Sequence, residues 1–274
     1  MSSPSIRLGI RENLPQFSLL VVINGFVGAM VGLERTVLPL IAEHDFGILS
    51  KTVVLSFLVS FGIVKAISNL LAGTFSERFG RKRILVAGWL VGLPVPFLLI
   101  FAPSWDWVVA ANLLLGVNQG LCWSATVIMK IDLAGPKQRG FAMGLNEFSG
   151  YLAVALAAYL SGTIAAEYGL RPYPFYLGIV FSFAGLLLSA FLARETSDHA
   201  KLELLEVEGG RNAQLQFKEV FLRTSWKDKN LFSCSQAGMM NNLNDGAAWG
   251  LFPLFFAAHG LTVEQIGSLA AIYP

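Results

Sequence analysis

Asn241, Asn244 and Asp245 interrupt the apolar stretch "SQAGMMNNLNDGAAWGLFPLFF" and fall on one helical face by i, i+3, i+4 spacing. Asp245 is about 14 residues, or roughly 21 Å of helix, past the start of that stretch. An ionisable group there is costly, and it earns its place by meeting an ion, a proton or a solute. The alternative is an interhelical hydrogen-bond cluster that packs helices together. Asn24, Asn118 and Gln119 lie in two other apolar runs. Their amides can bond a solute without charge, or bond a neighbouring helix.

Lys65 and Glu147 lie in further apolar runs at similar depth. They form a buried ion pair, or Lys65 snorkels to the nearer interface. Glu34 and Arg35 sit in the outer third of the first run. They line an outer gate or pair with neighbours at the interface.

A second concentration of chemistry is "GTFSERFGRKRIL", residues 73–85. Glu77 stands among Arg78, Arg81, Lys82 and Arg83, with Gly73 and Gly80 on either side of its turn. Gly80 suits a tight reversal, and Gly73 is expected to let another helix approach closely. The cations hold the turn on one side of a membrane. The carboxylate can bond N–H groups at a helix N-terminus or pair with a cation, latching two bundles. A plain positive loop is the competing account.

The elements that must position these residues follow from composition. Hydrophobic residues make up 54% of the 274 and charged residues only 14%, and mean hydropathy is +0.60. Water-soluble domains carry about 25% charged residues. Apolar runs of about 18–25 residues match a bilayer core of roughly 30 Å. The expected fold is all-α and polytopic, with spans at about 17–41, 52–72, 84–103, 107–130, 141–166, 174–193 and 231–257. An eighth begins near 264 and is cut at Pro274, so the chain reads as a fragment of a longer protein. The divisions are a six-helix bundle over 1–193, a linker over 194–230 and the start of a second bundle over 231–274. Gly25, Gly28, Gly32, Gly116 and Gly120 mark faces for close helix contact.

Lys and Arg are biased sixteen to three toward one set of connections, counting Lys130 and Arg211 on the rich side and Arg35 on the poor side. With the positive side inside, the N-terminus is cytoplasmic and the protein sits multi-pass in a plasma (inner) membrane. The linker's end, "FKEVFLRTSWKDKN", sets Phe217, Val220, Phe221 and Trp226 among cations. That pattern suits an interfacial helix or an ordinary solvated one. "VLPLIAEHDFGILSKTVVLS" (37–56) and "LFPLFFAAHGLTVEQIGSLAA" (251–271) align Pro39 with Pro253 and, with one gap, His44 with His259. This is the mark of an internal repeat.

Residues 73–85 resemble the signature of the major facilitator superfamily, Gly-x-Leu-Ala-Asp-Arg-x-Gly-Arg-Lys-x-x-Leu. Gly73, Arg78, Gly80, Arg81, Lys82 and Leu85 match; Phe75, Ser76 and Glu77 are close replacements. "RGFAMG" (139–144), "GLRPYPF" (169–175) and "ARET" (193–196) resemble that family's turns into helices five and six and its exit from helix six. The resemblance implies a secondary transporter of two six-helix bundles working by alternating access, with Glu77 in the gate role and Arg78 and Arg81 supporting it. Two departures stand out. Gly116 of "GVNQG" occupies the place of the family's fourth-helix arginine, and the antiporter pattern of helix five is missing from "GLNEFSGYLAVALAAYLSG".

The sequence therefore points to a carrier of a small solute, with protons or another ion as coupling partner and the lipid bilayer as surroundings. A non-transporting sensor or assembly partner on the same scaffold is the other class. His44, His199 and His259 are scattered, and no metal spacing, phosphate loop or nucleophile–base pair speaks for an enzyme. No cofactor is called for, and a net charge of +2 gives no case for nucleic acid.

Overall fold

A chain in hydrocarbon must satisfy its own backbone, and uninterrupted apolar runs do so as helices. The computed structural model describes residues 6–208 and 216–273; Arg211 and Pro274 lie outside them. Its long helices are α1 (Leu14–His44), α2 (Lys51–Phe79), α3 (Arg81–Ile100), α4 (Trp105–Ala134), α5 (Pro136–Tyr168) and α6 (Tyr173–Leu192). All six are long and apolar enough to cross a membrane. Three shorter or more polar helices follow, α7 (Ser197–Glu208), α8 (Phe217–Leu222) and α9 (Lys229–Ala258). The last is α10 (Val263–Ile272). Every expected span is a helix within a few residues of its expected bounds.

The 30-residue α9 is long enough to span but does not join the six, because its first half is polar. Asn241, Asn242 and Asp245 line an interior cavity there, and Asn244 bonds Tyr273.

Successive helices run antiparallel. One end of the bundle, the basic end, collects the start of α1 and the α2–α3, α4–α5 and α6–α7 connections. The turn into α3 is made by Gly80, whose φ of 95° suits only glycine without strain. The segment before α1 folds against this end, where the Gly9 N–H donates to the Leu133 carbonyl at 2.8 Å. Gln16 is bonded both ways to the α6 exit, to the Leu192 carbonyl at 3.0 Å and from the Arg194 N–H at 2.9 Å. The helix α7 docks beneath the bundle through an Arg139–Glu203 ion pair and a His199–Asn13 hydrogen bond of 3.3 Å. At the opposite end, Arg171 binds Asp45 at 2.6 Å, lies over the Phe46 ring and donates to the Ala102 carbonyl.

Small residues set the closest seams. A Cβ on Gly28 would collide with the Gly150 carbonyl, and one on Gly32 with the Val154 carbonyl, so α1 lies backbone to backbone on α5. Gly116 and Gly120 of α4 do the same against α2. Gly25 has only Ala153 near by, at 3.9 Å. The close approach expected at Gly73 is absent: among the described residues nothing stands within 4 Å of a Cβ placed there. Outward-facing side chains such as Val59, Ile63 and Ile67 are exposed at helical spacing, as contact with lipid requires.

Two cations counted with the connections are buried within helices. Lys130 is buried in α4, its ammonium 3.4 Å from the Leu20 carbonyl. Arg35 is fully buried in α1. One leaves each side of the charge count, so the bias stands.

The ends of α1 and α9 match. Each helix carries an internal proline, Pro39 or Pro253, and closes at a histidine, His44 or His259. A positive-φ glycine follows each, Gly47 or Gly260, and then a new helix begins.

These seams give a direct contrast. Gly120→Ala drives a methyl into Ser68 and the α2 backbone and is expected to cost about 1–3 kcal/mol. Gly73→Ala fills open space and, by helix propensity, changes stability by less than about 1 kcal/mol in either direction. Thermal unfolding in detergent checks both; equal losses would contradict the α2–α4 seam.

Candidate functional site

The structure concentrates polar chemistry in two places. At the basic end, the first N–H groups of α3 are orphans of helix geometry. Glu195 takes them: Arg81 N and Lys82 N donate to its two oxygens, each at 3.1 Å. Its Oε1 also accepts from Thr196 N, Ser197 N and the Ser197 hydroxyl. Arg81 Nε meets Asp132 Oδ2 at 3.2 Å, and the Thr196 hydroxyl donates to the same oxygen at 2.6 Å. The Arg81 Nη1 donates to the Ser76 carbonyl. The α2–α3 turn, the end of α4 and the α6 exit are thereby tied together.

Burial acts to raise the Glu195 carboxyl, but hydrogen bonds from the Ser197 hydroxyl and the Lys82, Arg81 and Ser197 N–H groups outweigh it and hold the group below its ordinary 4.5. Glu77, the carboxylate singled out by sequence, is exposed and makes no hydrogen bond or ion pair among the described residues. Arg78 rests over the Phe79 ring at 5.2 Å. Lys82 contributes its backbone N–H. The capping role expected of Glu77 within this turn therefore belongs to Glu195; the expected contact of Glu77 with a second bundle lies outside the described residues. Glu195 and Asp132 were missed because they are remote in sequence, although Glu195 lies in the noted "ARET".

The second place is the interior between α1, α2, α5 and α9, where two adjoining cavities of about 340 and 300 Å³ open. Lys65, Asn69, Asn242 and Trp249 line both. The first is completed on its charged side by Arg35, the second by Glu147 and Asp245.

Asn241, Asn244 and Asp245 converge as their spacing predicts, on two tyrosines. Tyr151 and Tyr273 each donate a hydroxyl to Asp245 at 2.9 Å. Asn241 donates to Tyr151 at 3.4 Å and Asn244 to Tyr273 at 2.7 Å. Both readings of the cluster are thus present in the geometry, since it joins α5, α9 and α10 while Asn241 and Asp245 face the cavity. Glu147 accepts from Trp123 Nε1 at 3.3 Å and Asn146 Nδ2 at 2.8 Å. It forms no ion pair with Lys65 among the described residues; the Lys65 ammonium lies 5.7 Å from the Phe61 and Trp123 ring centres.

Gln119 lines the second cavity and donates to the Val27 carbonyl at 2.8 Å. Asn24 and Asn118 line neither. Asn24 bridges Asn146, Ser149 and Thr126, and Asn118 donates to the Gly88 carbonyl, so each ties helices together. Glu34 is buried beside Asn112 of α4, its Oε2 without a partner among the described residues. Arg35, in the outer third of α1, stands in the wall of the first cavity. Asn69, Asn242 and Tyr151 carried no sequence signal beyond polarity in an apolar run.

The two ends of the α9–α10 hairpin differ. The first half of α9 is largely exposed. Beyond it, α10 seals against α5, where a Cβ on Gly162 would stand 2.9 Å from the Gly267 Cα. The interior is closed at the end away from the basic face.

The chain belongs to the major facilitator superfamily, whose family model matches residues 17–274. It is 33% identical over 113 residues to the 3-(3-hydroxy-phenyl)propionate transporter of Escherichia coli K12, covering 40% of this chain and 27% of that protein. It is 28% identical over 183 residues to a probable 4-methylmuconolactone transporter of Cupriavidus pinatubonensis, covering 64% and 41%. The chain thus spans less than half the length of these curated relatives. In fold it matches a bacterial homolog of the human lysosomal transporter Spinster, solved inward-facing and unoccupied. That match has a TM-score of 0.63 at 16% identity and covers 94% of this chain and 60% of that one. The named relatives are transporters, not enzymes.

The basic-end cluster yields a pH test. A carboxyl held below its ordinary value stabilises the fold fully above that value and loses the contribution as pH falls through its folded one. Glu195→Gln is expected to unfold at lower temperature than the unaltered protein at neutral pH, with the gap closing as pH drops below 4.5. Unfolding midpoints in detergent across that range check it; a gap independent of pH would remove the charge from the account.

Proposed function

We propose that the protein is a secondary transporter of a small solute working by alternating access, in a plasma membrane with its N-terminus and basic end in the cytoplasm. The observation that carries this is the charged interior between α1, α5 and α9, with α10 packed on α5 at one end. Family membership supports it, as do relatives named for carrying hydroxyphenylpropionate and methylmuconolactone. The charge bias supports the orientation. Residues 1–193 act as one bundle, 194–230 as the linker and 231–274 as the opening of a second bundle, consistent with the matched ends of α1 and α9. Glu77 and its basic neighbours face that second bundle at the cytoplasmic gate.

Proton coupling is assigned to Asp245. Its two tyrosine donors stabilise the carboxylate, and taking up a proton weakens that hold on α5 and α10. A protonation event at this residue is thereby tied to the contact between the first bundle and α9–α10.

The test uses the native protein in liposomes loaded with a pH dye, challenged with a panel of small carboxylates, sugars and amines. Solute-dependent acidification or alkalinisation of the lumen is expected for at least one class. Asp245→Asn is expected to reduce that proton flux at least tenfold while leaving solute exchange at equal pH in place. No flux with any member opposes the transporter reading, and full proton flux in the variant removes Asp245 from coupling.

A further inference from the structure

The interior charges are not treated alike. Each cavity carboxylate is satisfied by neutral donors: Asp245 by Tyr151 and Tyr273, Glu147 by Trp123 and Asn146. Neither cation is. All three side-chain nitrogens of Arg35 lack a hydrogen-bond partner among the described residues, although the residue is fully buried. Its guanidinium lies against aromatic faces, 4.7 Å from the Phe61 ring centre and 5.4 Å from that of Trp249. Lys65 likewise has rings and no carboxylate within ion-pair distance. A buried guanidinium with empty donors carries a large desolvation cost that an anion offsets.

Lys65 lines both cavities, but Arg35 and the two carboxylates are divided between them. The larger cavity is lined by Arg35 and Lys65 and by no acidic residue. Both carboxylates face the smaller one. Beside the two cations the larger cavity has aromatic walls in Phe61 and Trp249, and Gly62 and Gly246 leave its floor open. Its volume of about 340 Å³ fits a small organic molecule.

We propose that the larger cavity binds an aryl carboxylate, with partly buried Lys65 as its first contact and Arg35 as the deep anchor that takes the carboxylate once the Phe61 and Trp249 rings turn aside. The aryl body then lies along the same two rings, and Asn69 and Asn242 are placed for polar substituents. This names the solute class of the transporter reading and rests on it for its role, but binding is separable from movement. The smaller cavity, with its fixed carboxylates, repels the same anion and keeps it on the Arg35 side.

The experiment measures binding of benzoate, 3-phenylpropionate and cinnamate to the native protein in lipid nanodiscs, each beside its uncharged amide. Titration calorimetry reads the affinity. At least one acid is expected to bind, and its amide to bind at least tenfold more weakly. Arg35→Gln is expected to lose at least tenfold in affinity for the acid and little for the amide, with Arg35→Lys intermediate and Lys65→Gln showing a smaller loss. The acid–amide comparison needs no variant, so it holds even if Arg35→Gln fails to fold. No binding of any of the three acids overturns the proposal, as do equal affinities for acid and amide. An Arg35→Gln protein that binds the acid as the unaltered one does also overturns it; another part of the protein would then neutralise Arg35. Acid binding without uptake into liposomes would leave this site standing and sink the transporter reading. Uptake confined to uncharged solutes would do the reverse.

Discussion

Gly28 and Gly32 bring the backbone of α1 against that of α5, and the interior is built outward from that seam. With no Cβ on α1 at these two positions, Asn24 reaches the Asn146 carbonyl at 2.8 Å and Thr36 reaches that of Ala158 at 3.1 Å. The same approach sets Val31 and Arg35 of α1 and Tyr151 and Val154 of α5 around adjoining cavities. Widening the seam by a side chain would separate the cavity walls before it touched any charged residue. In a membrane, where lipid tails are as apolar as leucine, close backbone packing is one of the few forces that favour helix over lipid as a neighbour.

A charge away from water is costly unless its donors or acceptors are filled, and the two polar regions differ in how far that is met. At the basic end, Glu195 is filled by the first turn of α3 and Asp132 by Arg81 and Thr196, which makes the region a rigid joint between helices. In the interior Asp245 and Glu147 are filled by tyrosine, tryptophan and asparagine donors, while Glu34 keeps one oxygen unpartnered among the described residues. Among the described residues Arg35 and Lys65 lie against ring faces and form no ion pair within bonding distance, a weaker contact than a carboxylate pair.

The hairpin of α9 and α10 shows how a repeated element is reused. Its proline, terminal histidine and positive-φ glycine match those closing α1. Its packing does not, because Gly267 lies against Gly162 of α5 at one end while the first half of α9 remains exposed. Gly267 thus joins the hairpin to α5, and the Asp245 cluster lies where α5, α9 and the end of α10 meet.

Much of this was legible in the chain itself. Long apolar runs can satisfy their backbone in lipid only as helices, so the spans and their antiparallel order follow from length and hydropathy, and Gly80 marked the turn into α3. Helical spacing likewise predicted that Asn241, Asn244 and Asp245 share a face, because i, i+3 and i+4 neighbours are set by local geometry. Partner choice across helices has no such local rule. Glu195 rather than Glu77 fills the α3 terminus, Arg35 stands in a cavity wall, Asn24 and Asn118 tie helices together, and among the described residues nothing lies within 4 Å of a Cβ placed on Gly73. Each of these depends on the rotation of one helix against another, which is decided by side-chain packing between residues far apart in sequence, and only the tertiary structure expresses it.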